Sequence, residues 1–384
     1  MNILLITDLY PVNNSKDPRT LSAFVENWNK LGYKTDILRP NFLFNAFIRG
    51  KKIFENAIFE DEKTKSKIFN VNYSTPFLTD VTRKLPEEFS IDNYDVVVSH
   101  MPSGSLFAKK LLENKEIPYI NAVHASDIEV LTNLLYKIHF SKNLKETYLK
   151  ADLIAARSPE LEKKIIKLMP YIKCKTFVAY SGIESKYIEP KSFFLKKYED
   201  FSEIRNGFLH IITVASLIKR KNIDIIIKSL AKLPHRNWHY KIIGEGPELK
   251  RLKELVIKLK IYENVTFLGN LPREQVLEEL KTSDIFILLS KKETFGMAYL
   301  EAMAKANIVI SSFNDGIDGI LQNNVNGFAT KQRVNLLVNT INKIQSMPED
   351  ALKKIYENAY NTITEYTAEK AAINYIVNIK SLLK

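Results

Sequence analysis

The sequence predicts an α/β protein made of two doubly wound domains, and three observations predict it. Short β-branched runs alternate with helical periodicity along the chain, the pattern of parallel strands wrapped by crossover helices. At 384 residues the chain is too long for one ordinary core and suits two of common size. Between Gly182 and Gly207 the strand pattern breaks, and 185–206 is a charged, aromatic stretch that reads as an inter-domain connection.

In the first half the β-branched runs predict strands at 2–7, 34–38, 95–99, 118–124, 152–156 and 176–180, with helices at 20–31 and 104–114. In the second half they predict strands at 210–215, 239–243, 265–268, 285–289 and 308–311. The clearest helix is 247–260, where Leu249, Leu252, Leu255, Val256 and Leu259 share one stripe. Pro247 falls in its first turn, where a missing N–H does no harm. Paired doubly wound domains place a ligand in a cleft at the carboxyl ends of their strands.

Composition narrows the class. Hydrophobic residues at 45% and charged residues at 26% describe a soluble globular chain, and no apolar run approaches the length of a membrane span. The N-terminus shows no charged region, apolar core and cleavage site in series, so no signal peptide is expected. Cys174 stands alone, which excludes a disulfide framework and points to a reducing, cytoplasmic compartment. The net charge of +12 is spread: 26 Lys/Arg against 22 Asp/Glu in 1–185, and 30 against 22 beyond, so no basic arm exists. A solvated Lys-rich surface accounts for it, and a weak pull toward an anionic inner membrane face is the alternative. No nucleic-acid-binding module is present.

The chemistry concentrates in 284–305. A buried strand, Asp284 to Ser290, leads through Lys291, Lys292, Glu293 and Thr294 to a helix opening at Phe295-Gly296-Met297. Free amides and the dipole of a helix N-terminus suit a diphosphate, and Gly296 allows close backbone approach. Glu301 lies about 7.5 Å further along the helix axis. Two carboxylates, Glu293 and Glu301, thus flank one phosphate site, placed for sugar and ribose hydroxyls. Either alone reads as an ordinary solvated acid. A second strand–loop–helix unit, 210–233, carries Lys219, Arg220 and Lys221 where its strand ends, and a cation there neutralises a diphosphate leaving group. Gly244-Glu-Gly246 lacks the third glycine of a dinucleotide fingerprint, and Pro247 occupies the turn, which argues against a nicotinamide enzyme. Six histidines without ligand spacing argue against a zinc site.

The stretch 210–328 resembles retaining glycosyltransferase family 4, whose fold is GT-B. The resemblance rests on Glu293 and Glu301 around the Phe295-Gly296 step, and on Gly244-Glu-Gly246, Phe267-Leu-Gly269, Glu301-Ala-Met-Ala304 and Asn326-Gly327-Phe328. In the first half Thr7-Asp8-Leu9-Tyr10-Pro11, Val123-His124-Ala-Ser-Asp127 and Ser181-Gly182-Ile183-Glu184 are similar to that family's elements. The resemblance implies two facing Rossmann-like domains: 1–185 on the acceptor side, completed by a C-terminal helix at 366–384, and 207–365 binding a nucleotide-sugar. It assigns Lys221, with Arg220 or Lys219, to the donor diphosphate, Glu301 to the ribose and Glu293 to the transferred sugar. Gly244 and the amides of Phe295, Gly296 and Met297 would lie beside the donor, and His124 would face sugar and acceptor across the cleft.

It further implies a UDP- or GDP-linked donor, no metal or other cofactor, and a glycan or lipid-linked acceptor of bacterial surface-polysaccharide or lipopolysaccharide assembly. Three departures stand out. The first turn, 12–17, has no glycine, Ser216 replaces the usual arginine, and Asp315-Gly316-Ile317-Asp318-Gly319 replaces a Gly-Gly-x-Pro-Glu stretch. They keep two rivals open, a non-catalytic GT-B partner and another GT-B enzyme such as an epimerase or phosphorylase. His100, the aromatic and basic stretch 41–60 and the basic stretch 136–150 are weaker candidates, each with a packing or solvated alternative.

Overall fold

The computed structural model describes residues 1–12, 20–42, 56–73, 85–133, 141–204 and 207–383. Contacts divide the chain into two compact units, Met1–Ser181 with Ala368–Lys384, and Gly182–Thr367. Residues 13–17 of the glycine-free turn, most of 41–60 and residues 136–140 lie outside the described residues.

The first unit is built on an eight-stranded sheet. Its strands are β1 (Asn2–Ile6), β2 (Lys34–Phe42), β3 (Ala57–Glu60), β4 (Lys67–Tyr73), β5 (Val96–His100), β6 (Tyr119–Val123), β7 (Leu153–Ala156) and β8 (Thr176–Val178), in the order β3-β4-β2-β1-β5-β6-β7-β8. All pairs are parallel except β3 with β4. Ile3, Leu4, Leu5 and Ile6 are buried, as are Val96, Val97 and Val98. That is the continuous apolar run expected of strands covered on both faces. β3 and β4 escaped the sequence reading because Ala57–Glu60 and Lys67–Tyr73 carry few β-branched residues. The C-terminal helix, Ala368–Leu382, packs on the first helix, Thr20–Lys30, through Tyr375 against Phe24 and Trp28, with ring centroids 5.5 and 5.3 Å apart.

The second unit has a six-stranded, wholly parallel sheet: β9 (Leu209–Val214), β10 (Trp238–Ile243), β11 (Val265–Gly269), β12 (Ile285–Ile287), β13 (Ile308–Ser312) and β14 (Phe328–Thr330). The order is β11-β10-β9-β12-β13-β14. From β9 the chain winds outward to β11, returns beside β9 as β12, and winds outward the other way. The reversal makes the β9–β12 boundary a topological switch point, where loops at the carboxyl ends of the strands diverge and open a crevice.

The stretch 185–206, expected to be a connection, instead holds a helix, Lys191–Ile204, that belongs to the second unit. Its aromatic residues form a packing stripe: Phe194 meets Tyr360, with ring centroids 5.2 Å apart, on the helix Glu349–Glu365. Lys197 is buried and donates to the carbonyl of Lys281 at 2.9 Å, and burial lowers it to about 8. Among the described residues no helix is long and apolar enough to cross a membrane.

Candidate active site

The two loops that flank the switch point carry the candidate residues. After β9 the chain turns through Lys219–Lys221, and Asn222 then opens the helix Ile223–Leu230 in the left-handed region, at φ 52°. After β12, Lys292 is likewise left-handed, at φ 61°, immediately before Glu293. Strained backbone persists only where its surroundings hold it. Here the Asn222 amide donates to the Leu289 carbonyl at 2.7 Å and the Lys291 N–H to the Arg220 carbonyl at 2.9 Å, so the two loops are stitched together.

That stitching brings Lys221, Arg220 and Glu293 into one cluster. Lys221 Nζ pairs with Glu293 Oε1, and Arg220 Nη1 lies 3.2 Å from the same oxygen. Lys221 and Glu293 are largely enclosed, while Arg220 is exposed. Burial pushes Glu293 up, but Lys221, then Arg220 and the Ser290 hydroxyl, hold its carboxyl below the ordinary value. The Glu293 backbone is anchored separately, its N–H donating to Asp315 Oδ1 at 2.7 Å. Gly316 packs beneath this loop so closely that a Cβ would sit 2.8 Å from the Phe295 nitrogen. The Asp315-Gly316 departure therefore has a structural role: the carboxylate seats the loop, and the glycine lets it lie flat.

The helix Met297–Ala304 follows, with Gly296 as its N-cap at φ 91° and Phe295 buried beside it. A Cβ at Gly296 would lie 2.5 Å from the Tyr299 ring, so glycine is required there by φ and by packing as well as by any ligand. Glu301 sits one turn on, four-fifths enclosed, and finds a different cation. Arg273 Nη2 is 3.3 Å from Glu301 Oε1. Burial raises the Glu301 carboxyl and Arg273 draws it part of the way back.

Of the remaining predicted residues, Gly244 is explained by packing. At φ 129°, a Cβ would meet the Ala215 carbonyl oxygen at 2.0 Å, and glycine here docks the loop after β10 onto the turn that carries Lys221. His124 lies in the first unit, buried, at the end of β6. Its Nε2 is 3.0 Å from His100 Nδ1, and its backbone N–H donates to Asp127 Oδ2 at 2.9 Å. Burial, then Arg157, lowers His124 to about 3, so this imidazole is neutral. Sequence reasoning missed Arg273 and the anchoring role of Asp315. Arg273 begins a helix just beyond β11, a position at a strand's carboxyl end that could have flagged it. Among the described residues no three His, Cys, Asp or Glu side chains are grouped to hold a metal ion.

The two Rossmann-like units, each built on a largely or wholly parallel sheet, are of the GT-B fold class. Residues 196–362 match the family described as Glycosyl transferases group 1, so the second unit is similar to sugar-transferring enzymes of that group. It is 27% identical over 289 residues to N-acetyl-alpha-D-glucosaminyl L-malate synthase of Bacillus anthracis, covering 73% of this chain and 72% of that protein. Solved structures share the fold. Sucrose-phosphate synthase from Thermosynechococcus elongatus aligns with a TM-score of 0.75 at 16% identity, covering 100% of this chain and 99% of that one. Anabaena HepE in complex with UDP aligns at 0.72 and 17%, covering 99% and 100%.

Proposed function

We propose that the protein is a retaining glycosyltransferase that draws on a nucleoside-diphosphate sugar, with a UDP-hexose as the first choice of donor and a glycan or lipid-linked molecule as acceptor. One observation carries the reading: Lys221 and Arg220 converge on Glu293 beside the opening of the helix that bears Glu301. Two cations and the first amides of a helix suit a diphosphate, and enclosed carboxylates suit hydroxyl groups. HepE, which shares the fold, has been solved with UDP and with UDP-glucose, which supports uridine as the base. The retaining outcome rests on the resemblance of the Glu293–Glu301 segment to family 4. So does the expectation that no metal or other cofactor takes part.

In this reading Lys221, with Arg220, binds the diphosphate and neutralises the charge that grows on it as the glycosidic bond breaks. Glu301 accepts hydrogen bonds from the ribose and Glu293 from the transferred sugar. Glu293 is held ionised and can only accept, so it orients the sugar and transfers no proton. Gly296 and Met297 present backbone amides. The resemblance assigns His124, buried and neutral in the first unit, to sugar and acceptor. A bacterial surface-glycan setting and contact with an anionic membrane face follow the resemblance and the basic net charge.

The test is a thermal-shift panel of UDP-, GDP- and ADP-sugars, because only a ligand that prefers the folded state raises the midpoint. A UDP-sugar should raise it most. Glu301→Ala should abolish the shift and donor turnover while its circular dichroism stays that of the wild type. The anomeric configuration of the product, read by NMR coupling constants, should match the donor's. A shift from none of the three bases, or full turnover by Glu301→Ala, would overturn the site assignment; an inverted product would overturn retention alone.

A further inference from the structure

We infer that Arg273 is a positioning residue for the donor's ribose: it fixes the Glu301 carboxylate as an ionised acceptor turned toward a vicinal diol. The inference rests on the reading of Glu301 as the ribose ligand. Arg273 opens the helix Arg273–Lys281, directly after the turn that leaves β11. Its guanidinium is held from three directions. Nη2 lies 3.3 Å from Glu301 Oε1, and Nη1 donates to Glu184 Oε1 at 3.1 Å. The plane covers the Tyr187 ring with 4.6 Å to the centroid. Lys186 Nζ holds the other oxygen of Glu184 at 2.8 Å, so the far end of the network is itself anchored.

A planar guanidinium clamped in this way has one orientation to offer Glu301, which a flexible ammonium would not. Arg273 engages Oε1, and Oε2 is left for a ligand. The charge effect points the same way. Burial alone raises Glu301 toward a protonated carboxyl, and a protonated carboxyl is a poor acceptor for two hydroxyls. Arg273 is the cation facing Glu301, with Glu184 behind it as counter-charge. The Arg273–Glu184–Tyr187 cluster thus supplies what a diol reader needs, a charged carboxylate that does not swing.

The experiment measures binding of UDP, GDP and ADP and of their 2′,3′-dideoxy forms to the full chain by calorimetry, across pH 5.5 to 8.5. The wild type should prefer the ribo form of its best nucleotide by about tenfold or more, since the hydroxyls bond to a charged group. Arg273→Gln should lose most of that preference with the dideoxy affinity unchanged. Its residual preference should grow as pH rises, because Glu301 then ionises only at higher pH. Arg273→Lys should recover part of the preference near neutral pH. Glu301→Ala separates the two ideas. If it abolishes the preference while Arg273→Gln keeps it, the role of Arg273 is overturned and the ribose assignment stands. If Glu301→Ala itself keeps the preference, or the wild type binds none of the three nucleotides, both fall. An equal loss of ribo and dideoxy affinity in Arg273→Gln would mark a merely structural residue and overturn the inference.

Discussion

Two clusters, His100–His124–Asp127 in the first unit and Lys221–Arg220–Glu293 in the second, bury their polar groups in opposite ways. In the first, burial wins: His100 and His124 are neutral, and Asp127 is raised from 3.8 to about 7 although Tyr148 and the His124 N–H both donate to it. In the second, ion pairing wins at Glu293, which is enclosed yet held below its ordinary value by Lys221 and Arg220. Glu301 lies between, raised by burial and drawn back by Arg273. Desolvation penalises any charge, so a buried group stays ionised only where opposite charge or hydrogen-bonding dipoles surround it, as Lys221 and Arg220 do for Glu293 and carbonyls do for Arg157 and Lys197. The cluster of the second unit therefore carries cations that would suit an anion.

The most damaging change to this contrast is Lys221→Met, which removes the enclosed cation and keeps the stem. Donor turnover should fall by about 10²- to 10³-fold, the usual result of deleting one preorganised charge-stabilising group. The same substitution should blunt acid stability. In the wild type the depressed Glu293 value gives stability that is present above the unfolded value of about 4.5 and lost as pH falls through the lower folded value. Without Lys221 that limb should weaken. Urea melts at pH 3 to 6 and a donor-release assay read both effects. Unimpaired turnover would mean that the cations of the second unit do not serve the donor.

The clustering of Lys221, Arg220 and Glu293 was legible in the sequence because strand–loop–helix units place their loops at strand carboxyl ends. Lys221 and Glu293 each follow a run that could only be a buried strand, and Glu301 follows at helical spacing from Gly296. Arg273 stands at a strand's carboxyl end too, but that position alone did not single it out. Its importance comes from Glu184, Tyr187 and Glu301, contacts made by folding and not by spacing. The helix Lys191–Ile204 was hidden because its buried face is aromatic and includes a buried lysine, which reads as a charged connection. β3, β4 and the three-residue β14 lacked the β-branched density that marks a strand.

A smaller effect separates backbone anchoring from ion pairing as the reason Glu293 is where it is. Asp315→Ala leaves the Glu293 N–H without its acceptor and should cost about 1–3 kcal/mol of stability. Asp315→Asn keeps an oxygen in the same place and should recover most of it. If turnover follows the same order, the anchor positions the carboxylate. If Asp315→Ala loses stability and turns over normally, Lys221 and Arg220 alone suffice to place Glu293.

The smallest effect probes the first unit. Asp127 has a folded value raised above its unfolded one, so its contribution to stability is greatest at low pH and is lost as pH rises through about 7. Between pH 6 and 8.5 this amounts to about 1 kcal/mol, taking 1.36 kcal/mol per unit. Asp127→Asn cannot ionise. Its oxygen can still accept the His124 N–H, and its amide can donate to the Tyr148 hydroxyl, so the network survives with one bond reversed. Thermal melts should show the wild type losing stability over that window and the variant losing less. A wild type flat from pH 6 to 8.5 would place a charged carboxylate at Asp127 under ordinary conditions. The Asp127 carboxylate would then be a buried ion as Glu293 is, and the contrast between the two clusters would rest on the histidines alone.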